Sequence, residues 1–183
     1  MKITSIAALP LAVAVAAGVS SSASADVTYT LTNQTYTGFN FSLAAAAGSL
    51  VGTLTGVSVD AVLLASTSYT YADDLCVYLD AGALSTGGAA QIGGFSNLLA
   101  AQRYVWPNGA SSAPGTSVTG TVTLISAINL TGSDLNVWIG NGYGAAGTSG
   151  TWSGTVTLHG VDLPAPGAIA LLGLAGLAGR RRR

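Results

Sequence analysis

Between residues 151 and 159 the chain changes chemistry at almost every step. Trp152, Val156 and Leu158 fall on one side, and Ser153, Thr155, Thr157 and His159 on the other. Successive side chains leave a strand in opposite directions, so a period of two marks an extended segment with one buried face. Residues 118–124 repeat the pattern, with Val118, Val122 and Leu124 on one face and Thr119, Thr121 and Thr123 on the other. Further strands are expected over 27–32, 35–43, 50–59, 61–69 and 97–105, the last the most helix-compatible because of its alanines and leucines. Pro107-Asn108-Gly109, Pro114-Gly115, Gly87-Gly88 and Asn141-Gly142 supply the turns between them. Many short strands and no helical period in this part of the chain predict an all-β fold, an antiparallel sandwich or jelly roll.

Two internal echoes sharpen that picture. Residues 120–125 (Gly-Thr-Val-Thr-Leu-Ile) nearly coincide with 154–159 (Gly-Thr-Val-Thr-Leu-His), and 52–57 is a looser copy. Asp74-Leu75-Cys76-Val77-Tyr78-Leu79 matches Asp134-Leu135-Asn136-Val137-Trp138-Ile139. In each of these two segments three aliphatic residues point one way. Two strands solving the same packing problem explain the echoes more simply than a duplication. The segments 72–79 and 150–158, with Asp-Leu in the first and Gly-x-Trp in the second, also resemble the P-domain of proprotein convertases. That resemblance implies a β-sandwich of jelly-roll type and carries no function with it.

The two ends read as processing signals and stand outside the fold argument. Lys2, an apolar stretch over 6–19 and Ala23-Ser24-Ala25 before Asp26 have the form of a secretory signal peptide, 1–25, cut after Ala25. At the other end, residues 163–183 contain Pro164-Ala165-Pro166, an uncharged run and the block Arg180, Arg181, Arg182, Arg183. This tripartite tail resembles the PEP-CTERM sorting signal of exosortase substrates, with Ala165 where the family has Glu. The resemblance implies temporary retention in the inner membrane, cleavage near Pro164 to Pro166 by an exosortase-type protease, and release to the cell surface or an exopolysaccharide matrix. The 13 uncharged residues from Gly167 to Gly179 make a helix of roughly 20 Å against a hydrocarbon core of roughly 30 Å, a marginal anchor suited to temporary retention. The arginines are expected to stay cytoplasmic, which places the rest of the chain across the membrane. The expected partners are signal peptidase, the exosortase-type protease and the inner membrane.

What remains, 26–162, is long enough for one domain with a core. Its single basic residue, Arg103, stands against seven aspartates, a net charge of −6 that disfavours nucleic acid as a partner. Catalysis is not expected. The only histidine, His159, falls on the threonine face of what reads as an edge or outer strand, and no Gly-x-Ser-x-Gly elbow accompanies the serines. One Cys and one His exclude an all-protein zinc site of the usual four-ligand kind. Asp73, Asp74 and Asp80, with Asp60 nearby in sequence, read as turn-capping or solvated acids in the absence of an Asp-x-Asp-x-Asp-Gly loop. No cofactor is implied. Cys76 has no disulfide partner and is expected to be partly buried.

Aromatic side chains are the remaining candidates for recognition. Trp152 shares a face with Val156 and Leu158 and belongs to the core, whereas Tyr78 and Trp138 lie opposite their aliphatic neighbours, and Trp106 and Tyr143 sit in turn-like segments. Tyr78, Trp106, Trp138 and Tyr143 are therefore the candidate ligand face. The sequence points to an exported structural or adhesive protein, with a carbohydrate-binding module acting on exopolysaccharide as the alternative.

Overall fold

The computed structural model describes residues 26–164. The expected signal peptide with Ala23 and Ala25, and the tail with Ala165, Pro166 and Arg180 to Arg183, lie outside the described residues; Pro164 is the last of them. Within them the chain forms nine strands: β1 (Val27–Thr37), β2 (Phe41–Ala45), β3 (Val51–Thr67), β4 (Leu75–Ala81), β5 (Ala90–Ile92), β6 (Gln102–Tyr104), β7 (Ser117–Asn129), β8 (Leu135–Asn141) and β9 (Ser149–Asp162). A 3-10 turn, Ala72–Asp74, precedes β4. No helix among the described residues is long and apolar enough to cross a membrane.

The strands make two facing sheets, one ordered β1-β9-β3-β7 and the other β2-β8-β4-β5-β6. Early strands pair with late ones: β1 with β9, β2 with β8, β3 with β7 and β4 with β5, all antiparallel. The ladders β3–β9 and β4–β8 then join these pairs side by side. A long two-stranded ribbon wrapped on itself in this way is a jelly roll, which leaves few long edges exposed. The all-β sandwich expected from the period-two pattern is the fold of the described residues.

Sequence periodicity and burial agree strand by strand. Trp152, Val156 and Leu158 have no exposed surface, and they face Leu75, Val77 and Leu79 of the opposite sheet within one core cluster. The indole N–H of Trp152 donates to the Ala72 carbonyl at 3.0 Å, so the largest core side chain is satisfied as well as packed. The β3–β9 ladder is irregular at Gly160 (φ +86°), which faces residues 53–55 of β3, and beyond it Val161 rather than the next even residue turns inward.

Several expected boundaries moved for identifiable reasons. Segments 50–59 and 61–69 are one strand, β3, because Asp60 sits on its solvated face opposite Thr119 and Thr155 instead of breaking it. The expected strand over 35–43 divides at Gly38 (φ +63°), where the chain crosses between sheets. Within 97–105 only Gln102–Tyr104 is extended. Asn97 Oδ1 accepts the Leu99 N–H at 2.9 Å and Leu99 turns to φ +57°, a local alternative that competes with strand pairing. Strand β9 is an interior strand between β1 and β3, not an edge.

The echoes also have a spatial meaning. Tyr78 pairs with Trp138 and Val77 with Ile139 across the β4–β8 ladder, so the two similar segments are neighbours in one sheet with the same two faces to fill. Val122 and Leu158 both pair with Val57, one from each side of β3.

Core truncation should separate sharply from surface truncation. Trp152→Ala is expected to cost about 3–5 kcal/mol in urea unfolding, whereas Ile125→Ser, at a position 90% exposed, should stay within about 0.5 kcal/mol.

Candidate functional site

The loops at one end of the sandwich bring together side chains that are far apart in sequence. Ser68 and Tyr69 follow β3 in consecutive left-handed conformations (φ +51° and +61°), and Tyr69 projects outward, 77% exposed. Two non-glycine residues in that region are uncommon and carry strain that the surrounding contacts must hold. Tyr71 follows them, Phe95 (74% exposed) comes from the loop between β5 and β6, and Tyr143 from the loop between β8 and β9. The Phe95 and Tyr143 rings meet edge to face, with centroids 5.6 Å apart.

These aromatics frame two adjoining hollows that share Tyr71, Asp74 and Phe95. The larger, about 400 Å³, is walled also by Asp73, Gly93, Gly94, Arg103, Val105 and Trp106. The smaller, about 150 Å³, adds Tyr69 and Tyr143. The hollows thus form a cleft with apolar ring faces and a few polar groups, the composition typical of small-molecule sites.

Asp74 is the keystone of this cleft. Its Oδ2 accepts the Tyr71 N–H at 2.7 Å and its Oδ1 the Phe95 N–H at 3.1 Å, so one carboxyl group ties two aromatic loops together. Its own carbonyl accepts the Gly142 N–H at 2.8 Å, and the Asp73 carbonyl accepts the Gly94 N–H at 2.9 Å. Burial raises the Asp74 carboxyl to about 6; the Tyr71 and Phe95 N–H groups oppose that rise, and the Asp73 charge adds to it. Burial also raises Asp73.

Other buried polar residues fix the same loops. Gln91, fully buried, donates to the Ser96 carbonyl at 2.7 Å and the Gly93 carbonyl at 3.1 Å and accepts the Leu98 N–H at 2.9 Å. Thr148, also fully buried, donates to the carbonyls of Tyr143 and Ala145. Satisfied buried polar groups set a loop in one arrangement, so the rim is formed before any ligand arrives. Arg103 donates to the Phe95 carbonyl at 2.9 Å while its side chain stays at the surface beside the cleft. Gly93, at φ +76°, lies where a side chain would collide with the Trp106 indole and the Leu75 carbonyl.

The four expected ligand residues divide. Trp106 and Tyr143 belong to the cleft, although Trp106 is only 4% exposed and donates its indole N–H to the Leu75 carbonyl, so it is a wall and not a platform. Tyr78 and Trp138 do not belong to it. The loops on either side of β5 fold over the outer face of β4 and β8, and Leu84, Leu98 and Ala100 pack there on Cys76, Tyr78, Phe41 and Trp138. Tyr78 is fully buried, its hydroxyl accepting the Gly88 N–H at 2.8 Å. The alternation placed Tyr78 and Trp138 on the outer face of their sheet, and that face is covered.

Cys76 shares this cover and is fully rather than partly buried, which pushes its thiol above its ordinary range. Asp80 caps the turn after β4, accepting from the Ala81 and Ser85 N–H groups and the Ser85 hydroxyl. Asp60 stands apart on β3. Among the described residues no three His, Cys, Asp or Glu side chains are grouped to hold a metal ion.

Tyr69, Tyr71, Phe95, Asp73, Asp74 and Arg103 were not legible as one site. They lie in two loops and a short strand, and only the fold makes them neighbours. No protein-family model, curated protein or solved structure matches the chain.

The Asp74 geometry has a pH consequence. A carboxyl at about 6 in the folded state, against an ordinary value near 4, holds a proton that the unfolded chain has released. Its contribution therefore makes stability fall as pH rises from about 4 to about 6. Asp74→Asn should flatten that slope, as read from melting temperatures across the window.

Proposed function

We propose that this chain is an exported adhesive protein of the envelope or extracellular matrix that binds polysaccharide in its aromatic end cleft. The observation that carries the reading is the cleft itself: Tyr69, Tyr71, Phe95 and Tyr143 gather around Asp73, Asp74 and Arg103, on loops pinned by buried polar groups. Aromatic faces suit the apolar faces of sugar rings, and the carboxyl and guanidinium groups beside them suit ring hydroxyls.

The placement of the cleft in the fold supports an anchored, outward-facing role. Strand β9 begins at Ser149, beside the cleft loops, and ends at Asp162, two residues before Pro164. Its 14 residues span roughly 45 Å at about 3.3 Å each. Residue 26, the first after the expected signal-peptide cut, lies beside Gly160 at the Asp162 end. A tail leaving that end would hold the domain with its cleft facing away from the membrane. In this reading signal peptidase cuts after Ala25, the tail rests in the inner membrane with Arg180 to Arg183 cytoplasmic, and an exosortase-type protease releases the domain near Pro164 to Pro166.

Binding is tested by calorimetry or affinity electrophoresis against purified exopolysaccharide and a panel of neutral and acidic glycans. Phe95→Ala and Tyr71→Ala should each weaken binding about tenfold, some 1.4 kcal/mol. Trp138→Ala should lower stability and leave affinity unchanged. Equal loss in all three would place the ligand elsewhere. Terminal peptide mapping of the extracellular protein should show its end within residues 163–166, whereas an intact Arg183 confined to membranes would contradict the sorting step.

A further inference from the structure

The alternation expected in β9 sends His159 to the solvent side of its sheet, and the fold gives it two neighbours there. Strands β3, β9 and β1 lie side by side, so Ser58 of β3 and Asp26, just before β1, flank the imidazole. Ser58 Oγ lies 2.5 Å from His159 Nε2, and Asp26 Oδ2 lies 2.8 Å from His159 Nδ1. Asp26 Oδ1 accepts the Gly160 N–H at 3.1 Å, which fixes the carboxylate. Those two bonds, the one from His159 first, hold the Asp26 carboxyl below its usual range.

The chemistry of the donors assigns the protons. An ionised carboxylate only accepts, so His159 Nδ1 carries the hydrogen and donates it to Asp26. When the ring is neutral, Nε2 carries the lone pair and accepts the Ser58 hydroxyl proton. Ser58 Oγ in turn lies 2.7 Å from Thr121 Oγ1 on β7, whose hydroxyl is left as the donor. Beside His159 the surface sinks into an open depression of about 280 Å³, lined by Thr55, Gly56, Thr121 and Thr123. Gly56, two residues before Ser58, contributes no side chain to fill it.

We propose that Ser58, His159 and Asp26 form a nucleophile, base and orienting acid that accept the acyl group of small carboxylic esters exposed to solvent. Ser58 Oγ attacks the ester carbonyl carbon as its proton passes to Nε2. The ester C–O bond breaks, and the same proton goes to the departing alcohol oxygen. Water then attacks the acyl-serine, gives its proton to Nε2, and the released carboxylic acid leaves Ser58 free as its proton returns. Thr121 Oγ1, 2.7 Å from Ser58 Oγ, is the neighbouring hydroxyl that would have to turn its proton from Ser58 to the developing oxyanion. Asp26 acts through the ring and is a positioning residue.

The arrangement is exposed, with 29% of the His159 side chain and 47% of the Asp26 side chain accessible. Water competes for every charge, so the acceleration belongs at the low end of the roughly 10²–10⁴ available to a positioned base. Covalent capture is therefore a better readout than turnover.

The full chain is treated with a fluorophosphonate probe and, separately, with p-nitrophenyl acetate, and the adduct is mapped by peptide mass spectrometry. Wild type should carry one adduct, on Ser58. Ser58→Ala should carry none there, His159→Gln should label about 100-fold more slowly, and Asp26→Asn about tenfold more slowly, with melting temperatures checked for each. Ser153→Ala, on the same face of β9, serves as the control and should label like wild type. Absence of label at Ser58 in the wild-type protein, or an unchanged rate in a folded His159→Gln variant, overturns the proposal. Label on His159 alone also overturns it, because the imidazole would then be acting without the serine.

Discussion

The antiparallel ladder between β3 and β9 is the element on which the rest of this structure depends. It runs from Val51 opposite Asp162 to Thr67 opposite Ser149, and each strand has a second partner on its far side, β7 for β3 and β1 for β9. Its inward face supplies Val57, Val59, Ala61 and Leu63 from one strand and Trp152, Val156 and Leu158 from the other. At roughly 25 cal/mol per Å² of apolar surface, this continuous apolar strip supplies much of the driving force for closing one sheet on the other. The outward face is left to short hydroxyl side chains, which pair across strands, as Thr28 with Thr157 and Thr35 with Thr151. That division explains how a chain with no Glu and one basic residue between 26 and 164 builds a polar surface.

The same ladder fixes what lies at each end. At the Thr67 and Ser149 end, the loops that leave β3 and enter β9 carry Tyr69, Tyr71 and Tyr143. At the Val51 and Asp162 end lie Asp26 and His159, with Pro164 two residues beyond the last strand. The proposed recognition and attachment sites would then occupy opposite ends of one stiff element. Asp74 couples the cleft to the core, because it follows the Ala72 carbonyl that receives the Trp152 indole N–H and its own carboxyl holds Tyr71 and Phe95.

The fold was legible where one face of a strand is wet. Trp152, Val156 and Leu158 could be assigned to the core from alternation alone, because β9 has water on its other side. Alternation carries less information on β4 and β8, which are covered on both faces. Alternation separated Cys76 and Tyr78 from Leu75, Val77 and Leu79 correctly, but nothing local indicated that the loops on either side of β5 would fold over them. Strand β5, three residues long, follows a glycine pair and has no period to detect. The cleft was only half legible: Trp106 and Tyr143 stood out as aromatics in turns, whereas Phe95, Tyr71 and Arg103 gain meaning only from the loop contacts that Asp74 and Gln91 impose. His159 stood out as the one histidine of the sequence, but nothing local marked Ser58 or Asp26 as its neighbours, because their adjacency depends on a strand order that sequence does not state.

The central claim is that polysaccharide is held at the aromatic end of the sandwich. Its most direct test is a backbone amide and indole chemical-shift titration of the protein with purified exopolysaccharide. The account predicts saturable shifts confined to residues 69–74, 93–96 and 142–144 and to the Trp106 indole, with the amides around His159 and Gly160 unmoved. Shifts centred on the threonine face of β3, β7 and β9, or none at all at saturating glycan, would contradict it.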